Sequence, residues 1–134
     1  MQINAHLGFD GKCEEAFKFY EKALDGKIEM LSRVSETPMA DHFGPDFRNK
    51  VVHARIKIAG TMVMGADAPP QHYSKPQGIT VCLSTDNSTD ADRYFNALVE
   101  KGTVGMPMAE TFFAHRFGMV TDQFGTPWMI IHQK

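Results

Sequence analysis

The chain has 134 residues, a formal charge of −2 at pH 7, and hydrophobic and charged shares of 43% and 22%, the balance of one compact soluble domain with room for a core. That charge argues against a nucleic-acid surface, which needs a basic stripe. No apolar run approaches the roughly 20 residues that cross a bilayer, and the start MQINAHLGFDG lacks the features of a signal peptide. Cys13 and Cys82 stand far apart outside any CxxC spacing, so neither a disulfide framework nor a zinc knuckle is indicated, and the cytoplasm is the expected compartment.

Residues 2–9 alternate, with Ile3, Ala5, Leu7 and Phe9 on one face and Gln2, Asn4, His6 and Gly8 on the other, which predicts a half-buried strand. Asp10-Gly11 turns the chain. Helical spacing of Ala16, Phe19, Tyr20 and Ala23 predicts a helix over 12–25, stopped by Gly26. A strand near 27–34 follows, and then the irregular stretch SETPMADHFGPDFRNK at 35–50. Residues 51–58 alternate again, Val52, Ala54, Ile56 and Ile58 against Val51, His53, Arg55 and Lys57, and Ala59-Gly60 turns into the strand TMVMGA. After the proline-marked linker APPQHYSKPQ the pattern returns. Ile79, Val81 and Leu83 alternate in a strand, and a Ser/Thr/Asp cluster opens a helix near 88–101. Strands near 103–111, 114–121 and 127–133 complete the chain.

Each half therefore reads βαβββ. Ala16, Phe19, Tyr20 and Ala23 stand 75 residues before Ala91, Tyr94, Phe95 and Leu98, and Gly26 matches Gly102 with one inserted residue. A repeat at this scale decides the fold and places a ligand in the cleft between the units. A doubly wound nucleotide fold is excluded, because three strands follow each helix and no GxGxxG or GxxxxGK[ST] occurs.

The segments LGFDGKCEEAFKFYEKALDGKI, VVHARIKIAGTMVMGAD and FFAHRFGMVTDQFGTPWMII cover most of the chain in order. They resemble the vicinal-oxygen-chelate superfamily of glyoxalases, bleomycin-resistance proteins and extradiol dioxygenases, and most closely its PhnB-like branch. The resemblance implies an α+β fold: two βαβββ modules, about 1–67 and 77–134, in a single domain that forms a curved open sheet around a cleft, usually in a homodimer. It leaves the function open, since the superfamily hosts unrelated chemistries. Some relatives carry a methyltransferase label, but no S-adenosylmethionine site is recognisable in the sequence.

Metal-dependent members hold one divalent ion through four side chains, typically His or Gln, Glu, His and Glu. Carried over, those positions fall near Asn4 to His6, near Met64, at Gly78 (Ile79 or Thr80 if the register slips) and at Met129. Only the first can hold a ligand there, and thioether sulfur is too soft to replace a carboxylate for Zn, Mg, Mn or Fe. The expectation is no metal cofactor of the family type, with a divalent ion left open.

The cleft candidates are His6, His53, Arg55, Met64, Phe113, His115, Trp128 and Met129. His6 is either a ligand-binding or acid–base residue or a satisfied surface histidine. His53 and Arg55 share a strand face, where they either clamp an anionic oxygen or pair with acidic residues across the sheet. His115 and Arg116 are adjacent, so at most one reaches the cleft, while histidines 42, 72 and 132 read as solvated. Met62, Met64, Met106, Met108, Met119 and Met129 lie on strands as core filling or as an adaptable apolar pocket, with Trp128, Phe113 and Phe117 as stacking surfaces. Met39, Phe43 and Phe47 suggest that the 35–50 loop folds over the cleft mouth or across a dimer partner, burying Phe43 or Phe47. The leading functional expectation is a small-molecule binding protein with an unidentified ligand. The alternative is a metal-dependent lyase or dioxygenase of the same superfamily, and a partner-binding module is the third.

Overall fold

The computed structural model describes residues 1–134, which divide into two compact units, Met1–Ser74 and Lys75–Lys134. The first unit runs β1 (His6–Phe9), α1 (Cys13–Ala23), β2 (Lys27–Arg33), β3 (Val51–Ile58) and β4 (Thr61–Asp67). The second runs β5 (Val81–Ser84), α2 (Ser88–Leu98), β6 (Thr103–Ala109), β7 (Ala114–Thr121) and β8 (Pro127–Gln133). Both are βαβββ, and α1 and α2 begin and end 75 residues apart. The sheets are ordered β1-β4-β3-β2 and β5-β8-β7-β6. Only β1–β4 and β5–β8 pair in parallel, because the helix carries the chain back across its own sheet. No helix is long and apolar enough to cross a membrane.

The core of each unit lies between helix and sheet. On α1, Cys13, Ala16, Phe17, Tyr20 and Ala23 are buried, the three-and-four spacing of a single helix stripe. Phe17 therefore takes the place expected of Phe19, which is only half-buried. Its ring lies against Gly65 of β4, where an added Cβ would stand 2.7 Å from it. On α2 the buried set is Ala91, Phe95 and Leu98. Burial and two neighbouring carboxylates, Asp67 and Glu14, push the Cys13 thiol up, so it behaves as a core group.

The helix ends differ from expectation. The left-handed residues are Asp25 (φ 54°) and Lys101 (φ 57°), one position before each glycine. Gly102 is needed for close approach instead: a Cβ there would lie 2.5 Å from the Thr121 carbonyl oxygen, while at Gly26 the nearest atoms are side-chain carbons at 3.1 and 3.2 Å. At its start, α2 is capped by Asn87, whose side-chain oxygen accepts the Asp90 N–H at 2.7 Å.

Two buried carboxylates fasten the loops. Asp67 accepts the backbone N–H groups of Cys13 and Val51, both at 2.9 Å, joining the first turn of α1 to the start of β3. Asp122 accepts from Phe124 N at 2.9 Å, Thr126 N at 3.0 Å and the Trp128 indole N–H at 2.9 Å. The DxxG turn is thus built around one carboxylate.

Several sequence expectations are corrected. Residues 2–5 do not form strand, and Ile3 is 96% exposed. Likewise β5 starts only at Val81, leaving Ile79 78% exposed. Val51 is buried although it alternates with Ala54 and Ile56, because a bulge between Ser32 and Arg33 shifts the β2–β3 register there. The 35–50 stretch folds into 3-10 turns at Val34–Glu36, Pro38–His42 and Pro45–Phe47. Its ends are tied by Val34 N to Lys50 O and Ser35 N to Arg48 O, both 2.9 Å. Phe43 and Phe47 stack on each other with centroids 5.1 Å apart, and neither is fully buried. Phe47 packs at the end of its own sheet, lining a cavity of about 200 Å³ with Asp10, Lys50 and Pro70.

Candidate functional site

The pairing registers place one residue from each strand in a row across each sheet. In the first unit the row is His6, Met64, Arg55 and Met30, running β1-β4-β3-β2. Neighbouring Gly65 contacts Phe17 of α1, so the row lies on the face turned away from the helix. His53 shares that face, with its ring nearly parallel to His6 at a centroid distance of 6.4 Å. Four sequence candidates, His6, His53, Arg55 and Met64, are thereby brought together.

Arg55 is the chemically distinctive member. Its cross-strand partners are Met30 and Met64, and its Nε is buried with no hydrogen-bond partner. Both of its register partners are thioethers, and the acidic residue of the adjoining β2 bulge, Glu29, is exposed. A buried guanidinium donor left unmade costs free energy, and an anionic oxygen accepting a two-pronged hydrogen bond satisfies it.

The equivalent row in the second unit is Cys82, Met129, Met119 and Met106. On this face Ala114, Phe117 and Ile131 form a buried apolar cluster against which Met119 and Met129 pack. Phe113 meets Phe117 edge-on at 5.2 Å, while Phe112 is 92% exposed. Met129 and Phe113 therefore sit beside an apolar cluster.

Two candidates lie elsewhere. Trp128 is 1% exposed, next to Met129 on the helix side, with its N–H committed to Asp122. His115 is the extra residue of a bulge between Ala114 and Arg116, which brings its ring to 4.7 Å from that of His132. Arg116 pairs with Asp92 of α2 at 2.8 Å, so neither member of the His115-Arg116 pair follows simple alternation onto the apolar face. His132 is not free in solvent: its Nδ1 lies 3.0 Å from Ser88 Oγ.

The registers also test the family metal set. Cys82 faces Met129 as His6 faces Met64, so the third position is Cys82 and not Gly78–Thr80. Gly78, at φ 78°, turns the chain before the strand begins. The corresponding residues are thus His6, Met64, Cys82 and Met129, with thioethers at both carboxylate positions. That donor set does not fit a hard divalent cation. No group of three or more His, Cys, Asp or Glu side chains is arranged to hold an ion. Met30, Ile131 and the row position of Cys82 escaped sequence reading, because strand register is set by pairing and bulges.

Residues 1–131 match the family described as 3-demethylubiquinone-9 3-methyltransferase, and the chain belongs to that PhnB-like family. It is 33% identical to protein YjdN of Escherichia coli over 97% of this chain and 94% of that one. Protein PA1353 from Pseudomonas aeruginosa superposes with a TM-score of 0.89 at 37% identity, over 98% of this chain and 97% of that one. A putative 3-demethylubiquinone-9 3-methyltransferase, PhnB protein, from Bacillus cereus gives 0.82 at 26% identity, covering 98% and 99%. The fold extends to a glyoxylase/bleomycin resistance protein/dioxygenase domain from Frankia sp. EAN1pec, with a TM-score of 0.68 at 13% identity over 100% and 98%. The two four-stranded open sheets and two helices are those of the vicinal-oxygen-chelate superfamily.

Proposed function

We propose that this protein binds a small molecule that presents an anionic oxygen to Arg55, and that it works without the family-type metal. The observation that carries this reading is the buried, unpartnered Arg55 Nε on an open sheet face beside His6, His53 and Met64. The flanking methionines supply an adaptable apolar surface for the rest of the ligand. A cytoplasmic homodimer is part of the proposal, and light scattering that gives the mass of a single chain would remove the dimer.

The test is a thermal-shift panel of aromatic carboxylates, phosphonates and phosphates, with S-adenosylhomocysteine as the probe for methyl transfer. A ligand at 100 times its dissociation constant adds about 2.7 kcal/mol, a readily measured rise. The expected result is a rise with an anionic compound that disappears in Arg55→Met. Stabilisation only by S-adenosylhomocysteine would replace this reading with the methyltransferase one. Stoichiometric Ni, Zn, Mn or Fe in protein purified without chelators, lost in His6→Gln, would replace it with the metal-dependent enzyme.

A further inference from the structure

The His115–His132 pair lies outside both side-chain rows, beside the start of α2, and the binding reading does not use it. Both rings stand on the β7–β8 hairpin near the start of α2, with centroids 4.7 Å apart and planes inclined by 41°. His115 is exposed and His132 half-buried, so an ion can reach them from solvent. With a metal–nitrogen distance of about 2.0–2.1 Å, two imidazoles on one ion at an angle of about 90–110° have centroids roughly 4.5–5.2 Å apart. The observed spacing falls in that range.

The surroundings suit a cation. Ser88 Oγ lies 3.0 Å from His132 Nδ1. With the ring proton on Nδ1, donated to that hydroxyl, Nε2 keeps its lone pair outward and the ring is held in one orientation, the usual support for a metal-binding histidine. The two nearby cations are already paired: Arg116 with Asp92 at 2.8 Å and Lys134 with Glu110 at 3.0 Å.

We infer that His115 and His132 form a cross-strand site for one borderline divalent ion, Zn²⁺, Cu²⁺ or Ni²⁺, with Ser88 orienting His132 and water completing the coordination. Imidazole pairs prefer these ions over Mg²⁺ or Ca²⁺. An ion bound there ties the last strand to β7 and stabilises the folded chain.

Isothermal titration of the full chain with Zn²⁺, and the electron paramagnetic resonance of added Cu²⁺, test this. One ion per chain is expected, with nitrogen coupling from two imidazoles. His115→Gln and His132→Gln should each weaken binding at least about tenfold, and Ser88→Ala by about 10-fold or more. His115→Cys should restore Zn²⁺ binding, because thiolate is also a zinc ligand. That restoration separates lost coordination from lost folding. Saturable binding unchanged in both glutamine variants, binding lost instead in His6→Gln, or no one-to-one binding would each overturn the inference.

Discussion

The two rows of side chains, His6-Met64-Arg55-Met30 and Cys82-Met129-Met119-Met106, occupy equivalent places on sheets of identical topology. One row is basic and mixed, the other almost entirely thioether. The helix-facing sides differ far less: Phe17 sits over Gly65 in the first unit and Phe95 beside Gly118 in the second. The difference shows where the repeat is constrained. A helix must bury one apolar stripe against its sheet, so the inner face keeps its character. The outer face carries no such demand and is free to take on different chemistry. The connections diverge too, with residues 34–50 between β2 and β3 but only residues 110–113 between β6 and β7.

The comparison can be broken most severely at the buried carboxylates. Asp122→Ala leaves three N–H groups without their acceptor, one of them on Trp128, and should cost about 3–5 kcal/mol in urea unfolding. Asp67→Ala strands two and should cost less. A loss at Asp122 smaller than at Asp67 would mean that the second unit does not depend on its turn as described.

The matched glycines sharpen the contrast. Gly102→Ala must displace the Thr121 backbone and should cost about 1–3 kcal/mol. At Gly26 the nearest atoms are side-chain carbons of Ile56 and Ile58 at 3.1 and 3.2 Å, which can give way. Gly26→Ala should therefore stay within about 1 kcal/mol, because alanine also restricts the unfolded chain. Thermal melts of the two variants decide whether repeated sequence means repeated constraint.

Arg55→Met turns the first row towards the thioether chemistry of the second. It should weaken an anionic ligand at least about tenfold, near 1.4 kcal/mol, without lowering the melting temperature of the free protein. A marked drop in melting temperature would show that Arg55 serves stability instead.

The smallest effect concerns Glu14, which accepts two hydrogen bonds from Arg33 at 2.8 and 2.9 Å. The Arg33 hydrogen bond is the main cause that lowers its carboxyl from 4.5 to about 2. The folded chain thus holds this proton more weakly than the unfolded one. The stabilisation is complete above about pH 4.5 and disappears as the pH falls to about 2. Both side chains are partly in solvent, so Glu14→Gln should cost under about 1 kcal/mol at pH 7. The wild-type and variant unfolding curves should converge at the acid end; a gap that persists near pH 2 would assign the effect to packing.

The βαβββ repeat, β3, β7 and β8 to the residue, and both helices to within a few were legible in the residue pattern. Period-two alternation and three-and-four helical spacing are properties of short segments, legible before any strand has met its partner. Alternation also put His53 and Arg55 on one face. Register came from the folded chain. Bulges turned Val51 inward and moved His115 beside His132, the late start of β5 put Cys82 rather than Gly78 opposite Met129, and pairing left Arg55 between two methionines. Each of these depends on which strand a residue meets, and the energy of that meeting resides in hydrogen bonds and side-chain contacts between segments distant in the chain.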